Sequence, residues 1–174
     1  MSWEDFYRRR DAIALVLAHA RHHRGSGLPF AELAAVATVF ADREELALAL
    51  QYKWSQLLMG RIAVALADAG RAQDVDHVEA VAAAWRTTAT RHPELRDLLA
   101  GYTPDGGDVF QACLRAEQRM VALAAGLAEP GEPADETARI GAAFLALIRS
   151  APRQTTQRRN HPIERLLRRL VAHA

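Results

Sequence analysis

The stretch Asp42-Arg43-Glu44-Glu45-Leu46-Ala47-Leu48-Ala49-Leu50-Gln51-Tyr52-Lys53-Trp54, continuing to Gly70, decides the fold class. Asp42 is a short polar residue of the kind that accepts a hydrogen bond from the first free amides of a helix. Glu45, three residues on, completes a capping-box pattern. Behind that cap Leu46, Leu50, Trp54, Leu57, Ile62 and Leu66 recur at helical spacing, and Gly70 supplies a stop. The reading is one long amphipathic helix over 42–69.

The same period runs outward in both directions. Phe6, Ile13, Leu17 and Ala20 share a face of a first helix over 3–23, which Arg24-Gly25-Ser26-Gly27 ends. A short helix is expected over 29–36, with Pro29 in its first turn. Downstream, Asp74 or Asp76 caps a helix carrying Val78, Val81, Trp85 and Ala89. His92-Pro93 breaks it, because a residue before proline avoids helical angles. A short helix over 94–100 and a turn-rich loop over 101–107 follow. Next come a helix over 108–127 through Phe110, Cys113, Leu114, Met120, Val121 and Leu127, then the linker Glu129-Pro130-Gly131-Glu132-Pro133. A helix over 134–150 is rich in Ala and Gly, 152–160 is polar loop, and a last helix opens at Pro162. No segment alternates as a strand would, and no internal repeat is visible. The expectation is an all-α bundle of about eight helices in one compact unit, with a small N-terminal helical region over 1–41 and a larger part over 42–174.

Composition bounds the function classes. The 174 residues are half apolar and a quarter charged, which is ordinary globular usage. No apolar run reaches the ~20 residues that span a bilayer, and the acidic, aromatic start Met1-Ser2-Trp3-Glu4-Asp5 is unlike a secretory signal. A cytoplasmic protein with no membrane partner is expected. The only cysteine, Cys113, excludes an internal disulfide. Lys53 is the sole lysine, and the preference for Arg and Ala fits a GC-rich bacterial genome. The net charge of +1 hides an asymmetry: residues 149–174 carry seven Arg against Glu164 alone, while residues 25–148 are acidic. The basic end reads first as a solvated face, with a phosphate-contacting patch as the sharper alternative.

No phosphate loop, dinucleotide fingerprint, HExxH, nucleophile elbow or CxxC is present, so no catalytic residue, metal or cofactor is assigned and an enzyme is not expected. His19 and His23 share a helix face but lack the further ligands of a metal site; His22, His23 and Arg24 suit a helix C-terminus. Glu117 is expected to be exposed or Arg-paired, the alternative being a ligand-facing carboxylate. Cys113 reads as core filling. Trp54, Met59, Trp85, Tyr102, Phe110 and Met120 are the bulky residues of the central helices. They either pack the core or line a pocket with Gln51, Thr88 and Gln118 as polar contacts.

Several of these stretches together resemble the TetR family of bacterial repressors. Val39-Phe40-Ala41-Asp42-Arg43-Glu44-Glu45-Leu46 is similar to the family's Tyr-x-x-Phe-x-x-Lys-Glu-x-Leu pattern, which ends the DNA-binding domain and opens the long fourth helix. The long helix carrying Trp54 fits, as does His92-Pro93-Glu94-Leu95-Arg96-Asp97-Leu98-Leu99 at the break between the fifth and sixth helices. The helices over 134–150 and 163–171 resemble the pair that forms the family's dimer interface. The likeness covers about residues 10–172.

The resemblance implies a ligand-responsive, dimeric transcription regulator. Its pocket would be lined by Trp54, Trp85, Phe110, Met120, Gln51, Thr88 and Gln118, and its dimer interface built from Phe144, Leu147, Ile163, Leu166, Leu167 and Leu170. A small hydrophobic ligand or a protein partner is implied. One departure bears on DNA. Phe30-Ala31-Glu32-Leu33-Ala34-Ala35-Val36 resembles the family's first reading-domain helix, yet only Ala37-Thr38-Val39 separates it from Phe40. About nine residues are missing where a recognition helix would enter the major groove. Sequence-specific DNA binding is therefore expected to be reduced or lost. The alternatives are atypical, phosphate-based DNA binding through Arg8, Arg9, Arg10 and the basic end, or a helical-bundle enzyme.

Overall fold

The computed structural model describes residues 3–23, 25–70, 76–102 and 108–150. Among them all regular structure is α-helical, in seven helices: α1 (Trp3–His22), α2 (Ala34–Ala37), α3 (Arg43–Ala69), α4 (His77–Arg91), α5 (Pro93–Gly101), α6 (Asp108–Ala124) and α7 (Ala134–Ser150). The eighth expected helix, over 163–171, lies outside the described residues. No helix among them is long and apolar enough to cross a membrane.

α3 is the axis of the bundle and packs against α4, α5 and α6. Its start is built as its sequence dictates. The Asp42 carboxylate accepts from the Glu45 amide at 2.8 Å. Glu45 reaches back to accept from the Ala41 amide at 2.7 Å, one residue before the usual capping-box partner, and also from Arg9 of α1 at 2.7 Å. Its buried positions Leu46, Leu50, Trp54, Leu58 and Ile62 are spaced by four, with Ala47 and Gln51 buried beside them. At 3.6 residues per turn each step overshoots by about 40°, so the buried stripe winds about 160° around the helix. That winding lets one helix present apolar surface to several neighbours. It also corrects the expected stripe: Leu58 is buried, Leu57 only partly so, and Met59 is exposed.

Local chemistry sets the other boundaries. Asp76 caps α4 by accepting from the Glu79 amide. His92 stands at the α4–α5 break with Pro93 opening α5, and Arg21 of α1 ties to Glu94 of α5 at 2.8 Å. α6 stops at Ala124, not near Leu127 as expected. Gly126 takes a φ of +68°, its amide donates to Leu123, and the Leu127 amide donates to Ala122, which is a Schellman closure.

Two expectations near the N-terminus are also corrected. Pro29 does not open a helix; residues 29–33 are non-helical and α2 is a single turn over Ala34–Ala37. Leu28, at the cap position before Pro29, has no side-chain acceptor for the first amides and is drawn into the core. Phe6 is half exposed and lies against Trp3 and Tyr7, while Ala12, Val16, Leu17 and Ala20 form the buried stripe of α1. Those residues share one core with α3, α4 and α5, so the N-terminal region packs on the rest.

α7 lies along α6 with Thr137, Ala138, Gly141, Phe144, Leu145 and Ile148 buried. A Cβ on Gly141 would fall 1.9 Å from the Gln118 carbonyl oxygen. The glycine therefore serves a backbone-to-backbone approach inside the chain.

Candidate functional site

Phe110, Leu114, Glu117 and Val121 stand at spacings of four, three and four on α6, which puts Glu117 on the helix's apolar face. It is 5% exposed, in contrast to the expectation of an exposed or Arg-paired glutamate. Gln51, carried inward by the stripe of α3, is 1% exposed. Its amide Nε2 donates to Glu117 Oε2, and Trp54 Nε1 donates to Glu117 Oε1 at 3.0 Å. Each carboxylate oxygen thus holds one buried donor. Gln51 Oε1 and Trp85 Nε1 are also buried and have no hydrogen-bond partner among the described residues.

Around this network lies a layer of aromatic rings and guanidinium groups. Trp54 and Trp85 meet edge to face with centroids 6.0 Å apart. The Arg96 guanidinium sits 5.5 Å from the Trp54 ring and 5.7 Å from the Trp85 ring, and that of Arg149 lies 5.8 Å from Trp85. These are cation–π distances. Burial pushes the Arg96 pKa below its ordinary value and the nearby Arg149 charge adds to the depression, against the opposing pull of Glu117 and Asp97. Neither arginine has a carboxylate within ion-pair distance among the described residues.

Of these groups, Glu117, Arg96 and Arg149 border a cleft of about 230 Å³ between α5, α6 and α7. Arg96, Gln111, Glu117, Gln118 and Arg149 supply its polar lining; Leu99, Tyr102, Phe110, Leu114 and Leu145 supply apolar walls. Tyr102 and Phe110 pack edge to face at 4.9 Å. The opening lies one layer away from the place expected between α3, α4 and α6. There the sequence-assigned residues Trp54, Trp85, Gln51 and Thr88 are buried in the packed core, and the Thr88 hydroxyl donates to the Ala84 carbonyl of its own helix. Met120 is partly buried against the same core. Of the assigned pocket residues, Phe110 and Gln118 line the cleft. Arg96 and Arg149 were missed, because 53 positions separate them and only the packing of α5 and α7 around α6 joins them. For Glu117 the signal is the spacing of α6, which places it on the apolar face although an exposed or Arg-paired glutamate was expected.

Of the assigned interface residues, Phe144 is buried within the chain and Leu147 is 67% exposed. Ile163, Leu166, Leu167 and Leu170 lie outside the described residues. At the N-terminus Arg9 is engaged by Glu45 and lies over the Phe40 ring, and Arg10 is engaged by Asp11. His19 and His23 stack with centroids 4.1 Å apart, and His23 Nδ1 lies 3.1 Å from the His19 carbonyl oxygen. Among the described residues no three His, Cys, Asp or Glu side chains are grouped to hold a metal ion, and Cys113 is half-buried. Compared with known proteins, the chain matches no family model, no curated protein and no solved structure.

Proposed function

We propose that the chain is a ligand-responsive dimeric regulator of the TetR-like kind, acting in the cytoplasm, in which sequence-specific DNA binding is reduced or lost. The observation that carries this reading is the placing of Glu117. A carboxylate sunk in an apolar bundle carries a desolvation cost that its two buried donors offset, a placement that a core built for packing alone does not require. Here it borders an open cleft in which charged and amide groups stand beside apolar walls, a mixed lining suited to a small amphipathic molecule. The arginines shift the expected ligand from purely hydrophobic towards amphipathic. Both Glu117 oxygens are engaged by donors, which argues for a binding role over that of a general base.

The reduced DNA reading is supported by α2. Its single turn leaves no second helix of useful length between α1 and α3 to lie in a major groove. Residues 34–40 also offer no Arg, Lys, Asn or Gln for base edges. The exposed Leu147 of α7 supports a contact between two copies.

Intrinsic fluorescence tests the ligand-binding part. Trp3 is exposed, so a Trp3→Phe background leaves only Trp54 and Trp85, which both lie under Arg96. A panel of small amphipathic and apolar compounds is expected to contain members giving a saturable change in emission. A panel without any such member would contradict the reading.

A further inference from the structure

We propose that the cleft between α5, α6 and α7 is a site for a small organic carboxylate, its acid group held by Arg96 and Arg149 and its apolar body lodged against Leu99, Tyr102 and Phe110. The proposal rests on the ligand-binding reading above and names the chemistry of its ligand. The Arg96 and Arg149 guanidinium groups lie 5.7 and 5.8 Å from the same indole ring, that of Trp85, and both border one cleft. Like charges so placed repel. Among the described residues the one carboxylate bordering that cleft, Glu117, already has an oxygen bound to Gln51 and the other to Trp54. An incoming anion relieves the repulsion and gives the planar guanidinium forks an acceptor. The indole faces hold the forks in place beforehand.

The size of the space narrows the class. At about 230 Å³ the cleft exceeds a ~150 Å³ cavity that takes benzene and falls short of the ~300 Å³ at which drug-sized pockets begin. One ring or a short alkyl chain with one acid group fits that interval. Leu99, Leu114 and Leu145 give the body apolar contact, which a bare oxyanion does not use.

Titration calorimetry on the whole chain with benzoate, hexanoate, their neutral amides and inorganic phosphate tests this. Arg149 is exposed at the end of α7, so Arg149→Gln leaves the fold intact. At least one acid is expected to bind about tenfold tighter than its amide, and Arg149→Gln to remove that advantage while leaving amide binding unchanged. Inorganic phosphate is expected to bind more weakly than the acid. Acid and amide binding equally would overturn the carboxylate assignment and leave the ligand-binding reading standing, as would neutral compounds changing the fluorescence while no acid binds. Phosphate equalling the acids would overturn the apolar half of the assignment. Silence from every acid and amide, with no response in the fluorescence panel, would remove both readings.

Discussion

Glu117 and Gly141 show how much a single position decides. Glu117→Ala leaves the buried Gln51 amide and the Trp54 indole N–H without their acceptor. The expected loss is about 2–4 kcal/mol, measured by urea unfolding. Adding Gln51→Leu removes one of the stranded donors, so the double variant is expected to be more stable than the sum of the two single losses implies. Gly141→Ala drives a Cβ into the Gln118 carbonyl, a backbone atom that cannot swing aside, and is expected to cost about 3 kcal/mol. Gly60 is the contrast: it lies within α3 with nothing within 4 Å of its would-be Cβ. There Gly→Ala is expected to stabilise by about 0.5–1 kcal/mol. The two glycines look alike in the sequence. Their opposite signs come from what packs across the gap, which the sequence does not carry.

Elements were read best where their determinants are local. Asp42 and Asp76 cap α3 and α4 because the acceptor and the amide it serves are three residues apart. Asp42→Ala is expected to cost about 1 kcal/mol. Glu45 adds a pH dependence. The Ala41 amide foremost, and then the Arg9 guanidinium, hold its carboxyl below the usual 4.5, so its contribution is present above that value and is lost as pH falls through the lower folded one. Glu94 acts in the same sense: burial opposes, but its backbone amide and Arg21 prevail. Stability is expected to decline below about pH 4.5, and Glu45→Gln to flatten part of that decline in acid titrations followed by circular dichroism. Where position in the fold mattered more than local pattern, the elements departed from expectation. Leu58 replaced Leu57 because the stripe of α3 winds, and Leu28 was pulled inward where Pro29 had suggested a helix start.

At the scale of the molecule, the all-helical bundle was legible from period and breaks, and the cleft was not. Its arginines and its carboxylate come from three helices far apart in the chain, and no spacing rule links them. Trp54 and Trp85, two of the large residues that suggested a pocket between α3, α4 and α6, pack edge to face against each other there. Dimerisation belongs to this scale as well. Leu147→Glu places a charge on the exposed face of α7 without touching the core, and is expected to lower the molecular mass seen by light scattering towards that of one chain while helicity is kept. Selection on random DNA is expected to return no palindromic consensus, since palindromes mirror groove reading by a symmetric pair of recognition helices. The central claim is that the cleft binds a small ligand, and thermal unfolding in the presence of ligand tests it most directly. Ala100 lines the cleft and is exposed, so Ala100→Trp fills the space from the surface. A ligand at a hundred times its dissociation constant stabilises by about 2.7 kcal/mol, a rise of about 5–10 °C for a chain of this size. The wild type is expected to show that rise with at least one small amphipathic compound, and Ala100→Trp to show none; equal rises in both proteins, or no rise in either, would contradict the account.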